Sequence, residues 1–211
     1  MNSPVDVEGP EGRRLTKPGR KTRERIIEAA AELMFHSGVG GTSIPDVQSA
    51  AGVSASQIYH YFGDKQGLVL AVVDFQTDTK LDQQRPLLDN LDSIDALRAW
   101  CDRAADRQDA MGWVGGCEIG SLASELAETD PLARTDLAAS FERWEAPIRS
   151  GLARMQARGE LSECADVTAL ATALLAAIQG GMLLSQVRRS STAYRHAVSA
   201  VIDHIESYVP Q

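Results

Sequence analysis

The chain has 211 residues, of which 44% are hydrophobic, and a formal charge of −8. That length and apolar content suit one medium domain or a small module joined to a larger one, and they exclude a disordered chain. Apolar runs fall short of the roughly 18 uninterrupted residues of a membrane span, and the charged, Pro- and Gly-bearing start lacks a signal-peptide core, so a cytoplasmic protein without membrane contact is expected. Cys101, Cys117 and Cys164 show no CxxC or Cys/His ligand spacing, which points to reduced thiols and to neither a metal nor another cofactor.

The acidic total argues against a nucleic-acid partner, but its distribution reverses that reading. Between Arg13 and Arg25 stand seven basic residues against one acid, leaving that stretch at +6 and the remainder at −14. Residues 1–19 hold Pro4, Gly9, Pro10, Gly12, Pro18 and Gly19 among few apolar residues, the composition of a disordered basic arm. From Thr22, the positions Ile26, Ile27, Ala30, Leu33 and Met34 recur at helical spacing until Gly38, which predicts a first helix of about four turns. Thr42 or Ser43 caps a second helix with Pro45 in its first turn, and Gly52 stops it. Ser54 caps a third, Ala55 to Phe62, and a fourth begins near Lys65.

Beyond that point no strand alternation occurs. Leu68–Lys80, Ile94–Met111, Ile119–Ala127, Leu132–Arg158, Val167–Arg188 and Thr192–Tyr208 all read as helices, broken by Pro86, the Gly112–Gly116 stretch, Asp130-Pro131, Gly159 and Ser190-Ser191. The expected fold is all-α with about nine helices: a three-helix module with a connecting helix over 20–75, and a helical body over 76–211.

On a helical wheel of Ala55–Phe62, Ile58 and Phe62 share one side, Ser56, Gln57 and His60 the other, and Tyr59 and Tyr61 the flanks. Short polar groups at the centre suit base edges in a DNA major groove, and the hydroxyl-tipped rings suit the phosphates on either wall. A plain amphipathic helix with a solvated face accounts for the same pattern. No nucleophile elbow, P-loop, dinucleotide or HExxH pattern is present, and His36, His60, His196 and His204 are scattered singly, which leaves little for an enzyme. A protein-interaction module remains open, but it gives the polarised charge no cause.

The stretch "IIEAAAELMFHSGVGGTSIPDVQSAAGVSASQIYHYFGDKQGLVLAVV" resembles the DNA-binding domain of the TetR family of bacterial transcriptional regulators. The resemblance implies a two-domain, all-helical homodimer that binds a palindromic double-stranded operator and releases it when a small molecule occupies the C-terminal domain. Carried over by position, it puts Ala55, Ser56, Gln57 and His60 towards bases, and Ser43, Ser54, Tyr59, Tyr61 and Lys65 towards phosphates. Pro45 stands where members often carry a polar or basic residue, and Gln48 replaces a usual small apolar one.

In the acidic body, Val167, Leu170, Ala171, Leu174, Leu175 and Ile178 form one apolar stripe, and Tyr194, Ala197, Val198, Val201, Ile202 and Ile205 another. Each stripe can face its own core. The small residues Ala173, Ala176, Ala177, Gly180 and Gly181 also allow close helix approach, and the resemblance pairs the last two helices with a second copy. Trp100, Trp113, Phe141, Trp144 and Met182, with Met111 and Met155, are large adaptable side chains suited to an apolar effector. Cys117, among glycines, is expected to line or gate the same cavity or to be a small buried thiol.

Overall fold

The computed structural model describes residues 15–210, and these hold nine α-helices and no strand. The helices are α1 (Lys17–Ser37), α2 (Ile44–Ala51), α3 (Ala55–Phe62), α4 (Lys65–Gln84), α5 (Ile94–Ala110), α6 (Glu118–Leu126), α7 (Pro131–Ala157), α8 (Val167–Arg188) and α9 (Thr192–Glu206), with a 3-10 turn at Leu88–Asn90. The expected all-α class therefore holds. Contacts divide the chain into two compact units, one ending at Thr77 but joined by Ser121–Leu137, the other comprising Asp78–Gly120 and the chain from Ala138. A single boundary near residue 75 misses the return of 121–137 to the first unit.

The start of α1 also departs from expectation. Thr16 caps it, its hydroxyl accepting from the Gly19 amide at 3.3 Å, and Pro18 occupies the first turn, where a missing amide hydrogen leaves no bond unmade. Pro18 and Gly19 are thus helix-starting residues and not part of an arm. Lys17, Arg20, Lys21, Arg23 and Arg25 consequently lie on a helix, while Arg13, Arg14 and the rest of the expected arm lie outside the described residues. Gly38 ends α1 with a left-handed φ of 74°.

In the first unit, Ile26, Ile27, Ala30 and Met34 of α1 are buried with Val47 of α2, Ile58 and Phe62 of α3, and Leu68, Val72 and Val73 of α4. Ile58 is fully buried, a contribution of about 2 kcal/mol, on a helix too short to persist alone. The corner between α2 and α3 turns on Gly52, whose φ of 61° and ψ of 45° fall in the left-handed region that a side chain disfavours.

In the second unit, α8 and α9 pack along Leu170, Ala171, Leu174, Leu175, Ile178, Met182, Tyr194, Val198, Ile202 and Ile205, all buried within this chain. A Cβ added to Gly181 would fall 2.8 Å from the Tyr194 Cα, so the small residue there serves this intramolecular contact. The opposite side of α8 is different. Ala173, Ala176 and Gly180 are exposed, as are Leu183, Leu184 and Val187, the last at 75%. By length and composition α8 is the one described helix apolar enough to cross a membrane, with a mean hydropathy of 1.8; its buried stripe instead packs within the unit.

Polar contacts tie α5 to α9. Arg98 meets Asp203 at 2.8 Å and Glu206 at 2.7 Å, and Arg195 meets Asp102, Asp106 and Asp109 at 3.0 to 3.2 Å. These groups are partly exposed, so their value is orientation more than stability. Replacing Gly181 with Ala is expected to force α8 from α9 and lower unfolding free energy by about 1–3 kcal/mol, read from urea unfolding at fixed protein concentration.

Candidate nucleic-acid interface and ligand cavity

Both short helices of the first unit are held at their starts by reciprocal capping. The Ser43 hydroxyl accepts from the Asp46 amide while the Asp46 carboxylate accepts from the Ser43 amide at 2.8 Å. Hydrogen bonding from Ser43 holds the Asp46 carboxyl below its ordinary value. The same device starts α3: the Ser54 hydroxyl accepts from the Gln57 amide, and Gln57 Oε1 accepts from the Ser54 amide at 2.9 Å. Each box fixes a helix entry and is worth about 1 kcal/mol.

These contacts bear on the residues expected to meet DNA. Ser56, Gln57, Tyr59 and His60 are exposed, whereas Ala55 and Tyr61 are half-buried, so α3 presents one polar face. Gln57 is folded back onto its own helix start, and Ser56 Oγ lies 2.8 Å from Ser54 Oγ. Among the described residues His60 makes no such local bond, and it stands edge-on to Tyr61, ring centroids 5.2 Å apart. The Tyr61 hydroxyl is 3.5 Å from where a Cβ on Gly19 would sit, which places that flank of α3 beside the basic start of α1. Lys17, Arg20 and Lys21 are exposed there. Arg23 instead lies over the Phe62 ring, 5.3 Å from its centroid, and burial lowers its pKa.

Lys65 is half-buried and donates to the Val39 carbonyl at 2.8 Å, so its stem and charge brace the loop between α1 and α2. The same loop is gripped from α6: Glu125 accepts from the amides of Val39 at 2.8 Å and Gly40 at 2.6 Å. Nothing in local sequence pattern announces Glu125, because its partners lie 85 and 86 residues away.

The second unit encloses a cavity of about 550 Å³, lined in part by Trp100, Trp144, Ile178, Met182 and Tyr194. Three of the six expected effector residues are therefore there: Trp100, Trp144 and Met182. Trp113, Phe141 and Cys117 are not among its walls. Trp113 is 2% exposed, bonds Asp109 through its indole at 2.6 Å and packs on Tyr194. Its φ of 55° is unusual for a bulky residue, so it anchors the glycine-rich connection from within the fold. Phe141 is half-buried on α7.

The remaining wall is more polar than the sequence suggests, with Lys80, Gln83 and Gln84 from α4 and Arg103, Arg107 and Gln108 from α5. Trp100 Nε1 donates to Gln84 Oε1 at 2.8 Å. Lys80 is 8% exposed and pairs with Glu118 at 2.9 Å. Burial pushes the Glu118 carboxyl up, yet the Lys80 ammonium, backbone hydrogen bonding and the charge of Arg107 together leave the group below its ordinary value.

A capped helix pair beside a basic helix start, followed by a cavity-bearing helical body, defines a helix-turn-helix regulator of transcription. The description "Bacterial regulatory proteins, tetR family" matches residues 26–72, and "Tetracyclin repressor-like, C-terminal domain" matches 93–201; the chain belongs to the tetR family and is a regulator with DNA-binding and ligand-binding domains, not an enzyme. An uncharacterised HTH-type transcriptional regulator from the lacX 3' region of Lactococcus lactis subsp. lactis is 29% identical over 178 residues, 80% of this chain and 85% of its own. The transcriptional regulator AcuR of Cereibacter sphaeroides is 28% identical over 167 residues, 78% and 76% of the two chains. A TetR regulator from Chloroflexus aurantiacus superposes with a TM-score of 0.75 at 29% identity, covering 92% of this chain and 98% of that one.

Cys101 and Cys117 take the buried-thiol form. Cys117 is 6% exposed, its sulfur accepts from the Gly120 amide at 3.4 Å, and burial pushes the thiol up. Burial likewise pushes Cys101 up to about 12. A thiol-specific reagent such as DTNB is therefore expected to label only exposed Cys164 in the native protein, and Cys101 and Cys117 only after denaturation.

Proposed function

We propose that this protein is a repressor that binds a palindromic operator as a homodimer and leaves it when a small, largely apolar effector fills the cavity. The observation that carries the reading is the exposed Ser56, Gln57, Tyr59 and His60 face of α3 beside the exposed cations of α1. In this reading Ala55, Ser56, Gln57 and His60 face bases, and Ser43, Ser54, Tyr59, Tyr61 and Lys65 meet phosphates. Gln57 must leave its cap to read a base, and Lys65 has two further donors beyond the Val39 bond. The repressor role is supported by the "Tetracyclin repressor-like" match over 93–201. A cytoplasmic location follows from action on chromosomal DNA.

The homodimer is supported by the uncovered face of α8, where Leu183, Leu184 and Val187 are exposed beside Ala176 and Gly180. An unpaired apolar strip on a helix calls for a partner, and a second copy of the same strip closes by two-fold symmetry. Two copies of α3 then address half-sites about 34–36 Å apart or more. An effector that favours a different separation weakens binding by misregister, and emptying a mostly occupied operator requires a preference of about 5.5 kcal/mol. Helix α4 carries cavity residues Lys80, Gln83 and Gln84, so a filled cavity acts on the same helix that follows α3.

Gel-shift titrations on DNA flanking the gene provide the test. His60→Ala is expected to cost about 1–3 kcal/mol and relax sequence preference, while Tyr59→Phe weakens all duplexes alike. Retention of full preference by His60→Ala removes α3 as the reader. Gln57→Ala is less clean, since it also removes a cap. Val187→Glu is expected to yield monomers by sedimentation and abolish operator binding; a dimer that still binds would move the interface elsewhere.

A further inference from the structure

Among the described residues, four buried side-chain polar atoms have no nitrogen or oxygen hydrogen-bond partner within the chain: Gln108 Oε1, Trp144 Nε1, Gln179 Nε2 and Tyr194 Oη. Three of the four belong to walls of the cavity, on residues no more than 4% exposed. Buried polar groups are nearly always bonded, and an unmet one costs about 1–3 kcal/mol. A purely apolar occupant would leave the Trp144 and Gln108 atoms unmet, whereas the Tyr194 hydroxyl is met by the Cys101 thiol.

Their chemistry narrows what fits. The Trp144 indole donates and cannot accept. Gln108 is oriented by its own Nε2, which donates to the Gly116 carbonyl at 3.3 Å, so its Oε1 needs a donor. The Tyr194 hydroxyl already shares a hydrogen bond with the Cys101 thiol and makes no demand on the occupant. An occupant must therefore offer an acceptor and a donor at different points.

Charge adds the rest. The wall holds Lys80, Arg85, Arg103 and Arg107, and no Asp or Glu. Arg85 reaches Asp89 only at 3.8 Å, and Arg107 bonds the neutral Gln83. Lys80 gives Glu118 one bond at 2.9 Å, and an ammonium has three donors. Its Nζ lies over the Trp144 ring, 5.9 Å from the centroid, which puts the cation and the indole on the same stretch of wall.

We infer that the cavity receives an amphipathic carboxylic acid, its carboxylate held by Lys80 and the Trp144 indole, its apolar body against Trp100, Ile178 and Met182, and a hydroxyl or similar donor on Gln108. This rests on the cavity being the effector site, and it adds an acidic head to the largely apolar effector.

Calorimetric titration of the full-length protein with 3-(4-hydroxyphenyl)propanoate, its methyl ester and 3-phenylpropanoate tests this. The phenolic acid is expected to bind about tenfold or more tightly than its ester, a charge-assisted preference, and more tightly than the acid lacking the hydroxyl. Lys80→Gln and Trp144→Phe should each erode the acid-over-ester preference; the second leaves the Lys80–Glu118 pair intact and covers the case in which the first does not fold. Equal affinity for acid and ester, or no binding by any of the three, overturns the inference. If acid and ester bind equally and both release operator DNA, the carboxylate is wrong while the effector cavity stands. If the acid is preferred but neither substitution alters that preference, Lys80 and Trp144 do not hold the carboxylate and the inference fails; if in addition no bound ligand releases operator DNA, the cavity reading fails with it.

Discussion

The burial of Ile58 and Phe62 is the constraint on which the reading surface depends. Eight residues form about two helical turns, far below the length at which backbone bonds alone hold a helix in water. α3 exists because one side is pressed into the core of the first unit with Val47 and the buried face of α1, and because Ser54 and Gly63 define its ends. The opposite side is then obliged to be exposed, at fixed pitch and fixed depth. Arg23 reinforces the same anchor by covering the Phe62 ring. Stability and recognition thus occupy two faces of one short element, and neither can be altered without regard to the other.

The capping boxes add a second demand on the same few residues. Gln57 and Ser54 satisfy each other in the free protein, as do Ser43 and Asp46. A side chain that caps and then reads must exchange one set of bonds for another, so only the difference between them contributes to affinity. His60, at the far end of α3, has no cap to give up. This makes the two polar residues unequal even though a helical wheel puts them on the same face.

Local signals in the sequence were sufficient for α3, whose bounds at Ala55 and Phe62 agree with its cap and its terminating glycine. The sequence pattern starts α1 too late because Pro18 and Gly19 read as linker residues, whereas Thr16 makes Pro18 the favoured first-turn residue. For α8 the apolar pattern marked the inward stripe, and the outward strip of Leu183, Leu184 and Val187 escaped because nearly the whole helix is apolar. The cavity was half legible. Large aromatic residues drew attention to Trp100 and Trp144, but Trp113 has the same composition and a different place. Lys80 and Gln108 were missed since helical periodicity does not say when a long polar side chain turns inward. Their placement depends on Glu118 and Gly116, partners supplied by a different part of the chain.

The grip of Glu125 on the Val39 and Gly40 amides has a consequence for how the protein can be dismantled. A carboxylate from α6 completes the hydrogen bonding of the loop that leads into α2, and Asp130 accepts from Gln66 on α4 at 3.1 Å. The DNA-facing portion is for this reason not a cassette that ends at Thr77. A chimera that grafts residues 15–77 onto a foreign sensor inherits two bare amides and an unanchored corner, unless the graft also imports Ser121–Leu137 or a host segment with an acid in register. For this protein, exchange of the sensor is thereby limited to hosts whose returning segment can meet that loop.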